Sequence, residues 1–204
     1  MTLKIYRKIF LLLLFPSMVY SGEPAAKKIS AERLSQGPLK ISADETVSRE
    51  HGKIIEASGH VQVNYLMENG DTLQSSSQFA RYDRGEGLGE IWGDPDALWI
   101  SKDGSQPPTR LLAHKIAVKP AESELKATGK VSVLQSSSTL SAETVSYSNE
   151  EKKITAMGER PEFSIRQDDH ETRISSQKII AFMDKKEIHF MGQVQGTVIL
   201  KKAP

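Results

Sequence analysis

One heptapeptide is written twice in this chain: "ASGHVQV" over residues 57–63 returns as "ATGKVSV" over residues 127–133. A glycine sits at the centre each time, and valines alternate after it. The glycine recurs beyond these two places. Gly59, Gly93, Gly129, Gly158 and Gly192 stand in the settings "EASGHV", "EIWGDP", "KATGKV", "TAMGER" and "HFMGQV", at separations of 34, 36, 29 and 34 residues. Upstream of each lies a phrase of apolar-x-small form: "ISAD" from Ile41, "LQSS" from Leu73, "LLAH" from Leu111, "LSAE" from Leu140 and "ISSQ" from Ile174. Four of these phrases begin 18 residues before their glycine, and Leu73 begins 20 before. In the middle, Tyr82, Val118 and Tyr147 stand eleven residues before the glycine and Phe182 ten, whereas the first unit has polar Ser48. Self-similarity of this kind means that one small supersecondary unit is copied, each copy burying its apolar face against the next.

Within the unit, apolar residues recur at every second position: Ile55, Ala57, Val61, Val63 and Tyr65, then Leu125, Ala127, Val131 and Val133, then Ile188, Phe190 and Val194. A period of two is a strand with one face buried. Turn formers divide the units at "ENGD", "KDGSQPP" and "RQDD". One stretch, "AAKKISAERLSQ" near the start, has helix-like spacing. The glycine keeps the parity of the apolar face, so it marks a bulge or bend where an inward side chain is missing. The same bend in every unit curves the sheet regularly. The expected fold is all-β, two curved antiparallel sheets facing each other or a flattened barrel left partly open, built from about five repeated strand units. Pro95 and Pro161 follow two of the glycines. Proline has no amide to donate, which predicts edges or bulges there and an interior that opens near them.

The chain begins with Lys4, Arg7 and Lys8, then an apolar run over 9–15, Pro16, and the small residues Ser17, Ser21 and Gly22. This run is shorter than the roughly 20 residues of a spanning helix. Its layout is that of a secretory signal cleaved after Ser21; an uncleaved anchor is the alternative. The expected division is a signal peptide over 1–21, a lead-in over 22–38, a β-domain over 39–200 and a tail over 201–204. Removing 1–21 leaves 24 Lys+Arg against 26 Asp+Glu, a formal net charge of −2. That balance speaks against a nucleic-acid binder, which carries a basic excess. With no cysteine, an exported chain has no disulfide framework and no thiol for a lipid anchor. It must be held by its core, and a chain of this length buries roughly 70% of its unfolded surface.

Catalytic chemistry is not expected. His51, His60, His114, His170 and His189 form no HxH or HExxH pattern, and no cysteine completes a zinc site. "DDH" at 168–170 lies between two strand-like runs and reads as a hairpin turn. There is no G-x-S-x-G elbow and no phosphate-cradling glycine loop. A polysaccharide-cleaving solenoid would need acids in register, whereas these repeats keep apolar and small residues in register. No catalytic residue, metal or cofactor is therefore assigned.

The ordered phrases "ISADETVSREHGKIIEASGHVQV", "SSSQFARYDRGEGLGEIWGDPDALW", "HKIAVKPAESELKATGKVSV" and "LSAETVSYSNEEKKITAMGERPEF" cover most of residues 39–200. This series resembles the OstA-like (LptA) family of lipopolysaccharide-export proteins. Members of that family often carry Asn after the glycine, where this chain has His60, Asp94, Lys130, Glu159 and Gln193. The resemblance implies a soluble periplasmic β-jellyroll whose units join head to tail through edge strands. It implies an apolar trough for the acyl chains of lipopolysaccharide, an inner-membrane LptC-like partner on the N-terminal side and an outer-membrane LptD-like translocon. A membrane-tethered LptC-like component of the same fold is the alternative. The in-parity apolar residues are the candidate trough lining: Ile41, Ile55, Val61, Val63, Leu111, Ile116, Val118, Leu125, Val131, Val133, Leu140, Val145, Tyr147, Ile154, Phe163, Ile165, Phe182, Ile188, Phe190 and Val194.

Overall fold

A computed structural model of the chain describes residues 39–67, 70–104, 107–119, 122, 124–148 and 150–200. The expected signal peptide, lead-in with its helix-like stretch, and tail lie outside these residues. Sixteen strands follow one another: β1 (Leu39–Ser42), β2 (Glu45–Arg49), β3 (Ile54–Leu66), β4 (Thr72–Asp83), β5 (Leu88–Trp92), β6 (Asp96–Ile100), β7 (Thr109–Leu112), β8 (Lys115–Lys119), β9 (Glu124–Gln135), β10 (Ser138–Ser148), β11 (Lys153–Met157), β12 (Glu162–Arg166), β13 (His170–Ser175), β14 (Lys178–Phe182), β15 (Glu187–Met191) and β16 (Gln195–Leu200). A short 3₁₀ turn, Glu50–Gly52, joins β2 to β3.

All pairings are antiparallel, and the strands form two layers. The long strands β3, β4, β9 and β10 serve both. Residues 54–58 of β3 pair with β2 while its later residues pair with β1, and β4 turns from β6 to β5 along its length. One layer therefore runs β2–β3–β4–β5–β8–β9–β10–β11–β14–β15, and the other β1–β3–β4–β6–β7–β9–β10–β12–β13–β16. The layers face each other. Trp99 of β6 meets Tyr147 of β10 edge-on with ring centroids 6.0 Å apart, and Phe163 of β12 lies 6.3 Å from Phe190 of β15. This is the expected all-β architecture of antiparallel strands in curved, facing sheets.

The repeated glycines are the corners at which the chain leaves one layer for the other. Two are bulges inside continuous strands. Gly59 and His60 together oppose Gln78, because the register shifts between Ser58↔Phe79 and Val61↔Ser77. Gly129 and Lys130 likewise oppose Glu143. The other three follow β5, β11 and β15. At four corners two successive residues have left-handed φ: Gly59 and His60 (74°, 44°), Gly93 and Asp94 (81°, 56°), Gly129 and Lys130 (79°, 48°), Gly192 and Gln193 (71°, 43°). Each glycine leaves room for a polar side chain 15 positions earlier: Asp44, Gln78, His114, Glu143 and Gln177. At three corners that residue's amide also donates to the glycine carbonyl, from Asp44 to Gly59 at 2.9 Å, His114 to Gly129 at 2.9 Å and Gln177 to Gly192 at 3.0 Å. Glycine and polar residue thus alternate along a seam that joins the layers. The expected inward-facing glycine is replaced by one whose missing Cβ admits a neighbour on this seam.

Three details differ from the sequence reading. The second unit aligns from Ser75, which lies 18 before Gly93, and not from Leu73; the polar serine hid the register. In β14 the inward residues are Ile179 and Ala181, so Ala181 and not Phe182 is the counterpart of Tyr147. Pro95 and Pro161 do not mark an opening. Both are fully buried, and their carbonyls accept from Ala113 at 3.4 Å and Ser176 at 3.1 Å. A residue without an amide suits a corner where the chain is changing layers, because no ladder bond is lost there.

Replacing Gly129 with Ala is expected to destabilise the chain more than replacing Gly87 with Ala. Both have left-handed φ, which costs an L-residue roughly 1–2 kcal/mol. At Gly129 the new Cβ would also lie 2.6 Å from His114 Nδ1, whereas at Gly87 it meets nothing within 4 Å. Urea denaturation midpoints of the two variants compare these costs.

Candidate functional site

The space between the layers is lined from most of the strands; β2 and β16, at opposite ends, are exposed throughout. Because each strand alternates, cross-strand partners carry one row of inward side chains through the whole molecule. Ala57, Ala80, Ile91, Ile116, Ala127, Val145, Ala156, Ile179 and Phe190 form such a row in the first layer. Ile41, Val63, Ser75, Ala97, Leu111, Val133, Leu140, Phe163 and Ile174 form the corresponding row in the second. Burying a Val, Leu or Ile side chain stabilises by about 1.5–3 kcal/mol, and Val61, Ile116 and Val131 are buried completely.

Of the predicted lining, Val61, Leu111, Ile116, Leu125, Val131, Val133, Leu140, Val145, Ile154 and Phe163 belong to the buried core cluster. Ile41, Val63, Val118, Tyr147, Ile165, Ile188 and Phe190 are partly buried and pack on it. Ile55 is half-buried and pairs with Ser48 and Tyr82 near the N-terminal end of its layer. Phe182 is not part of this face. It lies on the outer surface against His189, with Lys185 Nζ 5.0 Å from its ring centroid. Val194 lies two residues past its glycine, as Val61 and Val131 do, yet it is 52% exposed. It belongs to the last rung, and among the described residues no further strand covers it. The sequence reading missed the inward Ala80, Ile91, Ala97, Ala156, Ile179 and Trp99. Ala156 and Ile91 carried a usable signal, since each stands two before a repeated glycine, as Ala57 and Ala127 do.

Charges lie mostly on the outer faces and are paired there: Arg110 with Asp96, Arg49 with Glu56, Lys115 with Glu90. Two carboxylates are buried among the described residues, Asp83 at 7% exposure and, at the turn side of the layers, Asp71, which is only 4% exposed. Asp71 Oδ2 accepts from Trp99 Nε1 at 3.1 Å and its Oδ1 from the Lys102 amide at 3.0 Å. Trp99 in turn meets Tyr147 of the opposite layer. Burial, and then the charge of Asp71, push the Tyr147 phenol above its usual range. Asp71, Trp99 and Tyr147 thus bridge the two layers on the side away from the seam.

Among the described residues no group of three or more His, Cys, Asp or Glu could hold a metal ion, and no helix is long and apolar enough to cross a membrane. "DDH" lies at the β12–β13 turn, where the Gln167 amide donates to the His170 carbonyl at 2.8 Å. The arrangement buries apolar side chains between two layers, and among the described residues it has open strand edges at both ends: β1 and β2 at one, β15 and β16 at the other. At the second end Met191, Val194, Val198, Ile199 and Leu200 are exposed.

No protein family matches the chain, and no curated protein matches it. Among solved structures it is similar to the crystal structure of LptH, the LptA homologous periplasmic component of the conserved lipopolysaccharide transport device from Pseudomonas aeruginosa. The match has 12% identity over 83% of this chain and 97% of that one, with a TM-score of 0.45.

Two outcomes follow for the Asp71 bridge. Trp99→Phe keeps a ring beside Tyr147 but removes one donor from a buried carboxylate, and is expected to cost about 1–2 kcal/mol in chemical denaturation. The phenol of Tyr147 is harder to ionise folded than unfolded, so the unfolded chain loses its proton first as pH rises. Its contribution is complete below about pH 10 and is lost above it. Tyr147→Phe is expected to flatten the alkaline fall in the denaturation midpoint.

Proposed function

We propose that the chain is a non-catalytic periplasmic carrier that holds the acyl chains of lipopolysaccharide between its two layers and bridges the inner and outer membranes. One observation carries this reading. The inward face is apolar, Ser75 apart, from the β1/β2 end to the β15/β16 end, and among the described residues both ends finish in strands with an unpaired edge. Such edges are an aggregation hazard on a solitary protein and docking sites in an assembly. The order of the repeated phrases, which resembles the OstA-like family, supports the same reading and supplies the ligand class. An LptC-like partner would meet the β1/β2 end, and further copies or an LptD-like translocon the β15/β16 end. Each methylene removed from water is worth about 0.8 kcal/mol, so acyl chains can be held without ionic anchors. The inward residues pack on one another, so a lipid must part the layers to enter.

A photo-crosslinking residue placed at Val131 or Val133 in growing cells is expected to recover lipopolysaccharide, whereas one at the outward Ser132 is not. Recovery from none of the three, with the protein folded and exported, would count against a lipid-filled interior. A mature chain that starts at Gly22 in the periplasm is expected for the carrier; retention of the apolar run over 9–15 would favour a membrane-tethered component instead.

A further inference from the structure

The position 18 before each corner glycine faces inward, and in four units it is Ile41, Leu111, Leu140 or Ile174. In the second unit it is Ser75. That side chain is only 5% exposed, and its Oγ has no hydrogen-bond partner among the described residues. Its cross-strand neighbours are Val63 on β3 and Ala97 on β6, and Ala97 is wholly buried. Two adjacent positions of the inner wall are therefore small, and one carries a free hydroxyl. A buried hydroxyl without a partner forfeits its bonds to water and weakens the fold. Alanine would avoid that loss at nearly the same volume, and valine or isoleucine would fill the wall as in the other units. Packing gives no reason for serine here. A ligand oxygen does.

We propose that Ser75 is a hydrogen-bonding subsite inside the trough, one that takes an oxygen substituent carried on an acyl chain, a hydroxyl or an ester carbonyl. This rests on the carrier reading above and adds to it a preference among chains. The Ser75 hydroxyl can donate to either oxygen, and the surrounding Val63 and Ala97 exclude competing water. The contact strengthens in such a setting because neither partner has another to turn to. An unsubstituted chain would leave the hydroxyl unpaired even when bound.

The test compares two probes of equal length, a fatty acid with a hydroxyl on its chain and the unsubstituted fatty acid, on the full exported protein and on Ser75→Ala. The wild-type protein is expected to bind the hydroxylated probe about two- to tenfold more tightly, the span of one net hydrogen bond. Ser75→Ala is expected to bind both probes equally and to melt at the same or a higher temperature than wild type. Binding of both probes without preference by the wild type, or a preference retained in Ser75→Ala, would overturn the subsite while leaving the carrier intact. A lower melting temperature for Ser75→Ala would show that the hydroxyl already has a partner in the free protein, and would overturn it too. Failure of both proteins to bind either probe would overturn the carrier reading, and the subsite with it.

Discussion

The rest of the structure depends on the left-handed corner. A strand that passes from one layer to the other must turn sharply without losing its ladder on either side. Two successive residues with φ of 43–81° make that turn at four of the five corners. Only glycine adopts the first of these without a steric penalty, and the space where its Cβ would be is taken by the polar side chain 15 positions earlier. The second residue, His60, Asp94, Lys130 or Gln193, carries the strain of a left-handed L-residue, roughly 1–2 kcal/mol each. Ladders on both flanks hold it there.

From that corner the interior follows. The two residues on either side of the glycine, such as Ala57 and Val61 or Ala127 and Val131, point inward from different layers, and all four are almost completely buried. The polar partner on the seam faces solvent. One local motif therefore sorts residues to the core and to the surface, and repeats the sorting along the molecule. The outer faces carry most of the paired charges, and the interior is held chiefly by apolar contacts.

Much of this was legible in the sequence. Period-two alternation and a glycine at nearly constant offset are direct records of strand geometry and backbone torsion. The misreadings have physical causes. Ser75 stands where an apolar residue was sought, so the register slid to Leu73. Phe182 is aromatic and drew the pattern one place beyond Ala181, whose small size hid its inward position. Pro95 and Pro161 suggested an opening because proline cannot join a ladder, yet a buried corner asks for no amide. The contact of Trp99 with Asp71 and Tyr147 had no signal, since it joins residues far apart in sequence and, for Tyr147, on the other layer.

The seam also sets how the molecule can yield. Within each layer, neighbouring strands are held by backbone hydrogen bonds, so pulling the molecule lengthwise must break ladders. On the turn side no strand of one layer pairs with a strand of the other among the described residues. Spreading the layers about the seam costs side-chain contacts, among them Trp99 against Tyr147, and leaves the ladders whole. Stretching is thus opposed by backbone ladders and spreading by side-chain packing alone, as in a book bound at the spine.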